Sequence, residues 1–111
     1  PGRTAASIRK ALREIQSPHI VAIGAAYKPD SEDTRESPAV EIVRLLREDG
    51  YIVDHYDPLV EGMNYPSTML EACVDIDCLL LLVEHDLVMR EFERLRAEIE
   101  EVMGQSLILR F

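Results

Sequence analysis

The sequence predicts a three-layer α/β sandwich on a mainly parallel sheet of about four to five strands, and three observations carry that reading. Short apolar runs alternate with amphipathic stretches along the whole chain, the pattern of strands laid down between helices. Residues 19–58 read strand, helix, strand, and a connection of that length makes the two strands parallel and the crossover right-handed. The most apolar segment, "DCLLLLV" at 77–83, shows no alternation, as expected of a central strand covered on both faces.

Taken in order, residues 3–16 place Ala6, Ile8, Leu12 and Ile15 close to one helical face, and Ser17-Pro18 stops the pattern. "HIVAIGAA", 19–26, is a short run with β-branched residues and reads as the first strand. After a charged loop, Ser37 can serve as N-cap and Pro38 as the first helical residue. Val40, Ile42, Val43, Leu45 and Leu46 give that helix a broad apolar stripe, and Gly50 ends it. "YIVDHYDP", 51–58, is a second strand closed by Asp57-Pro58. Residues 59–66 read as loop, and "STMLEACV" as a short helix opened by Ser67. A helix over 86–102 follows the 77–83 strand, with Leu87, Phe92, Leu95, Ile99 and Val102 at helical spacing, and "SLILRF" is a last strand. The order α, β, α, β, α, β, α, β is that of a Rossmann-like sandwich.

The 111 residues fit one domain, 1–111, with a single sheet and no dividing linker. The longest apolar run, "CLLLLV", is far short of the roughly 20 residues that cross a bilayer, and the N-terminus lacks a signal-peptide pattern, so a cytoplasmic domain without membrane partners is expected. A formal charge of −9 with no basic run argues against nucleic acid. Cys73 and Cys78 have no histidine at zinc-finger spacing and read as buried free thiols; no metal site is expected. His19, His55 and His85 share no metal-ligand spacing either, although His85 stands at a strand's carboxyl end. Asp57 reads as a turn carboxylate.

In open parallel sheets ligands gather beyond the carboxyl ends of the strands, where strand order reverses. "GAAYKPDSEDTRESP", 24–38, stands at that place. It lacks the G-x-G-x-x-G spacing of a dinucleotide turn and the G-K-[ST] of a phosphate loop. Lys28 offers a mobile point charge to a phosphate, and Arg35 a planar fork. The acidic neighbours Asp30, Glu32, Asp33 and Glu36 could orient these cations, or Asp33 and Glu36 could answer the positive end of the following helix. A solvated, charged loop without function is the other reading of the same residues.

Residues 24–58, "GAAYKPDSEDTRESPAVEIVRLLREDGYIVDHYDP", closely resemble the C-terminal nucleotide-sugar domain of the UDP-glucose/GDP-mannose dehydrogenase family, through Gly24, Tyr27, Lys28, Asp33, Arg35, Ser37, Pro38, Tyr56, Asp57 and Pro58. "VEHDLVMREF", 83–92, extends the resemblance. The form "AYKPD...DTRESPA" looks most like members that oxidise UDP-N-acetylhexosamines, the UDP-N-acetyl-D-mannosamine and UDP-N-acetylglucosamine dehydrogenases, for polysaccharide precursor synthesis. The resemblance implies an NAD-dependent oxidoreductase that converts the sugar C6 alcohol to a carboxylate in two hydride transfers. It also implies an N-terminal NAD-binding domain and a central domain outside this chain, and a homo-oligomer at full length. By the motif, Tyr27 and Lys28 contact the UDP part of the substrate and Arg35 reaches towards NAD. No catalytic residue is expected in this fragment, which should be inactive alone. Arg110 stays outside the predicted site, since it reads equally as a strand-end residue. The alternative is a free-standing α/β nucleotide- or CoA-binding regulatory module that uses the same crevice without catalysis.

Overall fold

The computed structural model describes residues 1–65 and 68–111. Among the described residues eight elements follow one another as α1 (Gly2–Leu12), β1 (His19–Ile23), α2 (Pro38–Glu48), β2 (Ile52–Tyr56), α3 (Met69–Ala72), β3 (Cys78–Leu81), α4 (Asp86–Val102) and β4 (Leu107–Arg110). The four strands form one sheet in the order β2-β1-β3-β4, every neighbouring pair parallel. β1 and β3 are therefore central. Their residues are the β-branched and leucine runs "HIVAI" and "CLLL", which can pack on either face of a pleated sheet.

The two-residue side-chain period divides these strands between two cores. Ile20, Ala22, Cys78 and Leu80 face a cluster with Ala5, Ile8 and Leu12 of α1 and Ile42, Val43 and Leu46 of α2. Val21, Ile23, Leu79 and Leu81 face the other, with Met69 and Cys73 around α3 and Val88, Phe92 and Ile99 of α4. Helix layers thus cover both faces, giving the expected three-layer sandwich with four strands.

Helix ends follow local chemistry. The Ser37 hydroxyl accepts from Val40 N, and Pro38 occupies the first helical position of α2. At its other end Gly50, at φ +92°, donates to Arg47 O while Tyr51 N donates to Leu46 O, the paired bonds of a left-handed C-terminal cap. The expected Ser67 start of α3 lies outside the described residues; Thr68 caps that helix by accepting from Glu71 N.

Three apolar assignments shift by one position. Ala5 rather than Ala6 is buried on α1, Ala39 rather than Val40 on α2, and Val88 rather than Leu87 on α4, where Leu87 is 61% exposed. In each helix a neighbour about 100° around the axis competed for the stripe, and only the angle at which the helix meets the sheet decides between them. Helix α1 also ends before Ile15, which is half-buried. The thiols of Cys73 and Cys78 are free and buried, as expected.

Candidate functional site at the carboxyl ends of the central strands

The sequence runs β1 to β2 on one side of the sheet and then crosses to β3 on the other, so strand order reverses between β1 and β3. The loop leaving β1 emerges at that reversal, above the carboxyl ends of both neighbours.

Gly24 opens the loop at φ +103°. A Cβ built there would stand 2.5 Å from Val83 Cβ and 2.6 Å from Val83 N. The glycine therefore answers a close approach of two chain segments as β1 and β3 end. It does not answer the approach of a pyrophosphate. Its N–H donates to Tyr56 O (2.8 Å), and its carbonyl accepts from His55 Nε2 (2.6 Å). Burial holds the His55 imidazole below its ordinary pKa.

Tyr27 and Lys28 stand on the exposed arc of the loop. The Tyr27 backbone N–H donates to Asp33 O (2.8 Å), which draws the loop into a compact turn, and its side chain remains 52% exposed. Lys28 Nζ lies 5.8 Å from the Tyr27 ring centroid, within range of a cation–π contact. Tyr27 and Arg35 line one open cavity of about 510 Å³ together with Asp33 and Glu36. Lys28 lines a neighbouring cavity of about 480 Å³ with Asp30, Ser31, Glu32 and Leu59. Tyr27 and Lys28 are thus adjacent, and Arg35 shares a cavity with the first but not the second.

The two cations differ in how far they are already engaged. Arg35 donates through Nε to Asp33 Oδ1 (3.0 Å) and through Nη2 to Asp33 Oδ2 (2.8 Å), a two-point grip that aims a side chain otherwise 87% exposed. The Arg35 guanidinium holds the Asp33 carboxyl at about 2, and Asp33 in turn raises the Arg35 pKa. Lys28 has no ion-pair partner among the described residues, leaving its charge available to an anion. Of the four acidic residues, only Asp33 orients a cation. Asp30 takes a different task.

A buried pair beneath the loop was not singled out by sequence reasoning. Asp57, at the end of β2, and His85, four residues beyond β3, are both 0% exposed. Asp57 Oδ2 accepts from Ala25 N (2.8 Å) and from His85 Nε2 (2.8 Å), while Oδ1 accepts from Leu59 N (2.9 Å). His85 Nδ1 accepts from Asp30 N (2.7 Å). A ring nitrogen that accepts carries no hydrogen, so these bonds select the tautomer with hydrogen on Nε2, the one that can donate to Asp57. Every polar atom of the pair has a partner, and no buried side-chain nitrogen or oxygen lacks one among the described residues. Asp57 is a turn carboxylate, as its bond to Leu59 N shows, but the turn is the smaller part of its role. The available signal was positional: Asp57-Pro58 and "EHD" stand at the carboxyl ends of the two strands that flank β1.

Arg110, at the end of β4, donates through Nη2 to Glu84 Oε1 (2.5 Å). A separate cavity of about 910 Å³ lies between α2 and the 60–63 loop, and neither Tyr27 nor Lys28 lines it. Its two guanidinium groups are committed, Arg47 to Val53 O and Arg44 to Glu41 and Glu48, so it offers no free cation to a phosphate. Among the described residues no group of three or more His, Cys, Asp or Glu is placed to hold a metal ion. No helix among the described residues is long and apolar enough to cross a membrane. Cys73 and Cys78 thiols are pushed up to about 12 by burial, which leaves them inert as nucleophiles.

A parallel α/β sheet with helices on both faces and a charged loop at its switch point is the Rossmann-like class of domain, in which ligands gather at the carboxyl ends of the strands. Residues 21–109 match the UDP-glucose/GDP-mannose dehydrogenase family, UDP binding domain, and the chain belongs to that family. It is 41% identical over 73 residues to the UDP-N-acetyl-D-mannosamine dehydrogenase of Methanococcus maripaludis, covering 65% of this chain and 17% of that protein. Over 98% of this chain, and 26% of the relative, it is 33% identical to the UDP-N-acetyl-D-mannosamine dehydrogenase of Methanococcus aeolicus. The UDP-N-acetyl-mannosamine dehydrogenase structure from Staphylococcus aureus superposes with a TM-score of 0.82 at 28% identity, over 99% of this chain and 26% of that one. The chain therefore spans about a quarter or less of the length of the relatives it matches.

Proposed function

We propose that this chain is the C-terminal UDP-sugar-binding domain of a longer NAD-dependent nucleotide-sugar 6-dehydrogenase, acting on a UDP-N-acetylhexosamine. The observation that carries the proposal is the loop at the switch point. It presents an exposed aromatic ring and, side by side with it, a lysine that has no ion-pair partner among the described residues, in a family whose matched region is a UDP binding domain. In this reading the Tyr27 ring and the Lys28 ammonium meet the nucleoside diphosphate, the lysine as a point charge on phosphate oxygens. The names of the similar proteins favour a UDP-N-acetyl-D-mannosamine over a UDP-glucose substrate.

The chain's own residues do not fit NAD as a complete site. Its one glycine at the β1 turn is filled by Val83 rather than open to a pyrophosphate. NAD is then held mainly by a domain outside this chain and supplies the hydride acceptor there. Arg35 stands at the rim, its fork fixed by Asp33 and its remaining N–H groups turned to solvent, and is the residue that reaches towards the cofactor. The N-terminal NAD-binding and central domains, a homo-oligomeric full-length enzyme and a cytoplasmic location belong to the same proposal. Alone, residues 1–111 are expected to bind UDP weakly and to be inactive, because much of the ligand's surface would remain uncovered.

Titration of the chain with UDP, followed by amide NMR, tests this. The largest shifts are expected at Gly24, Tyr27 and Lys28, with little change at His19 or along α4. Lys28→Ala should remove most of the response, and an undiminished response would end the assignment of Lys28 to phosphate. A reading frame that begins near Pro1 would instead favour the free-standing module.

A further inference from the structure

We infer that Asp57 and His85 are positioning residues for nucleotide binding, a buried clamp that grips both ends of the segment carrying Tyr27 and Lys28. The inference rests on the nucleotide reading above. At the near end of the segment, Ala25 N donates to Asp57 Oδ2. At the far end, Asp30 N donates to His85 Nδ1. The His85 Nε2 to Asp57 Oδ2 bond joins the two anchors, so residues 25–30 span a single hydrogen-bonded unit whose Asp57 and His85 side chains are fully buried.

Asp30 closes the far end a second time. It holds a left-handed conformation, φ +61°, which an aspartate tolerates better than most residues. From there its Oδ1 accepts from Asp86 N (2.8 Å), capping α4, whose own N-cap residue His85 makes no side-chain capping bond. Asp30 and the His85-Asp86 pair thus exchange two bonds reciprocally. Between these fixed ends lie Ala26, Tyr27, Lys28 and Pro29. The first is buried, its carbonyl accepting from Ser37 Oγ (3.3 Å), and the last carries a locked φ. Little backbone freedom remains for Tyr27 and Lys28 to lose when a ligand arrives, which is how a preformed loop raises affinity.

The two halves of the clamp can be separated by substitution. His85→Gln can keep a donor towards Asp57 but removes the acceptor at Nδ1, whereas His85→Asn can return an acceptor near Nδ1 and gives up the donor. Amide hydrogen exchange of Ala25 and Asp30, measured below the denaturant range of global unfolding, reports the clamp, and UDP titration of the same samples reports its consequence. His85→Gln is expected to speed exchange at Asp30 by roughly tenfold or more and to weaken UDP binding by roughly tenfold, the scale of one buried hydrogen bond left unmade. His85→Asn should restore much of the Asp30 protection and of the affinity. In the unsubstituted chain, saturating UDP should slow exchange at Ala25 and Asp30, since coupling is reciprocal.

If the unsubstituted chain binds UDP and His85→Gln binds it equally well, the positioning role is overturned while the nucleotide reading stands. Equal loss of Asp30 protection in both variants would overturn the acceptor argument. Should neither variant fold, unchanged Ala25 and Asp30 exchange on UDP binding to the unsubstituted chain would overturn the inference alone. Failure of that chain to bind UDP at all removes the nucleotide reading, and the inference with it.

Discussion

Gly24→Ala separates two explanations of one glycine, and its cost can be worked from the structure. The added Cβ would lie 2.5 Å from Val83 Cβ, 2.6 Å from Val83 N and 2.9 Å from Val83 Cα, all below the distance that non-bonded carbon and nitrogen atoms tolerate. An alanine at φ +103° adds backbone strain of about 1–3 kcal/mol. Relieving the contact by moving β3's exit adds about 1–3 kcal/mol more, the usual cost of overpacking a filled core. Together these remove about 2–6 kcal/mol, a large part of the ~5–15 kcal/mol that holds an ordinary domain together. The assay is urea unfolding of the ligand-free chain, read by circular dichroism, with the slope checked for two-state behaviour. Because the clashing atoms are Val83's backbone and Cβ, adding Val83→Ala should give little rescue. A loss below about 1 kcal/mol would refute the packing account and reopen a ligand-approach role for Gly24, whereas full rescue by Val83→Ala would place the clash at the Val83 methyl groups rather than at its backbone and Cβ.

Other expectations follow from single contacts. The Asp33 carboxyl should titrate near pH 2 in a carbon-13 NMR experiment, and Arg35→Ala should return it towards 3.8. Because the folded-state value is depressed, the Asp33–Arg35 contact is complete above the unfolded carboxylate pKa and is lost as pH falls through about 2. Cys73 and Cys78 should resist an aromatic disulfide reagent at pH 8 in the native chain and react once it is unfolded, since burial lifts both thiols to about 12. Rapid native modification would contradict their placement. Phe92→Ala should cost about 3–5 kcal/mol by urea unfolding, whereas Leu87→Ala, five residues earlier on α4, should stay within about 0.5 kcal/mol. Equal losses would mean that the face α4 turns to the sheet is misassigned.

The apolar runs at β1 and β3, the Ser37-Pro38 start of α2 and the Gly50 stop were legible because each depends on neighbours in the chain. The helical periodicity of 86–102 gave α4 its range, since the spacing of its apolar residues is local, but not its cap, which Asp30 supplies from 56 residues away. It could not choose Val88 over Leu87, because both lie near the edge of the apolar stripe until the sheet supplies a direction. The motif likewise singled out Tyr27, Lys28 and Arg35, whose residue types state their chemistry. It could not show that Arg35 is already gripped by Asp33 and Lys28 is not.

By itself, then, the amino-acid order determined the element types, the parallel sheet and the loop worth attention, all of which are encoded in periodicity and in residues a few positions apart. Only the tertiary structure decided what that loop stands on. Asp57 and His85 are 28 residues apart, and each reads as an ordinary polar residue at a strand end. They meet because β2 and β3 flank β1, and that strand order brings a carboxylate and an imidazole together beneath the loop. Out of water, their bonds to Ala25 and Asp30 satisfy groups that could not be left unpaired.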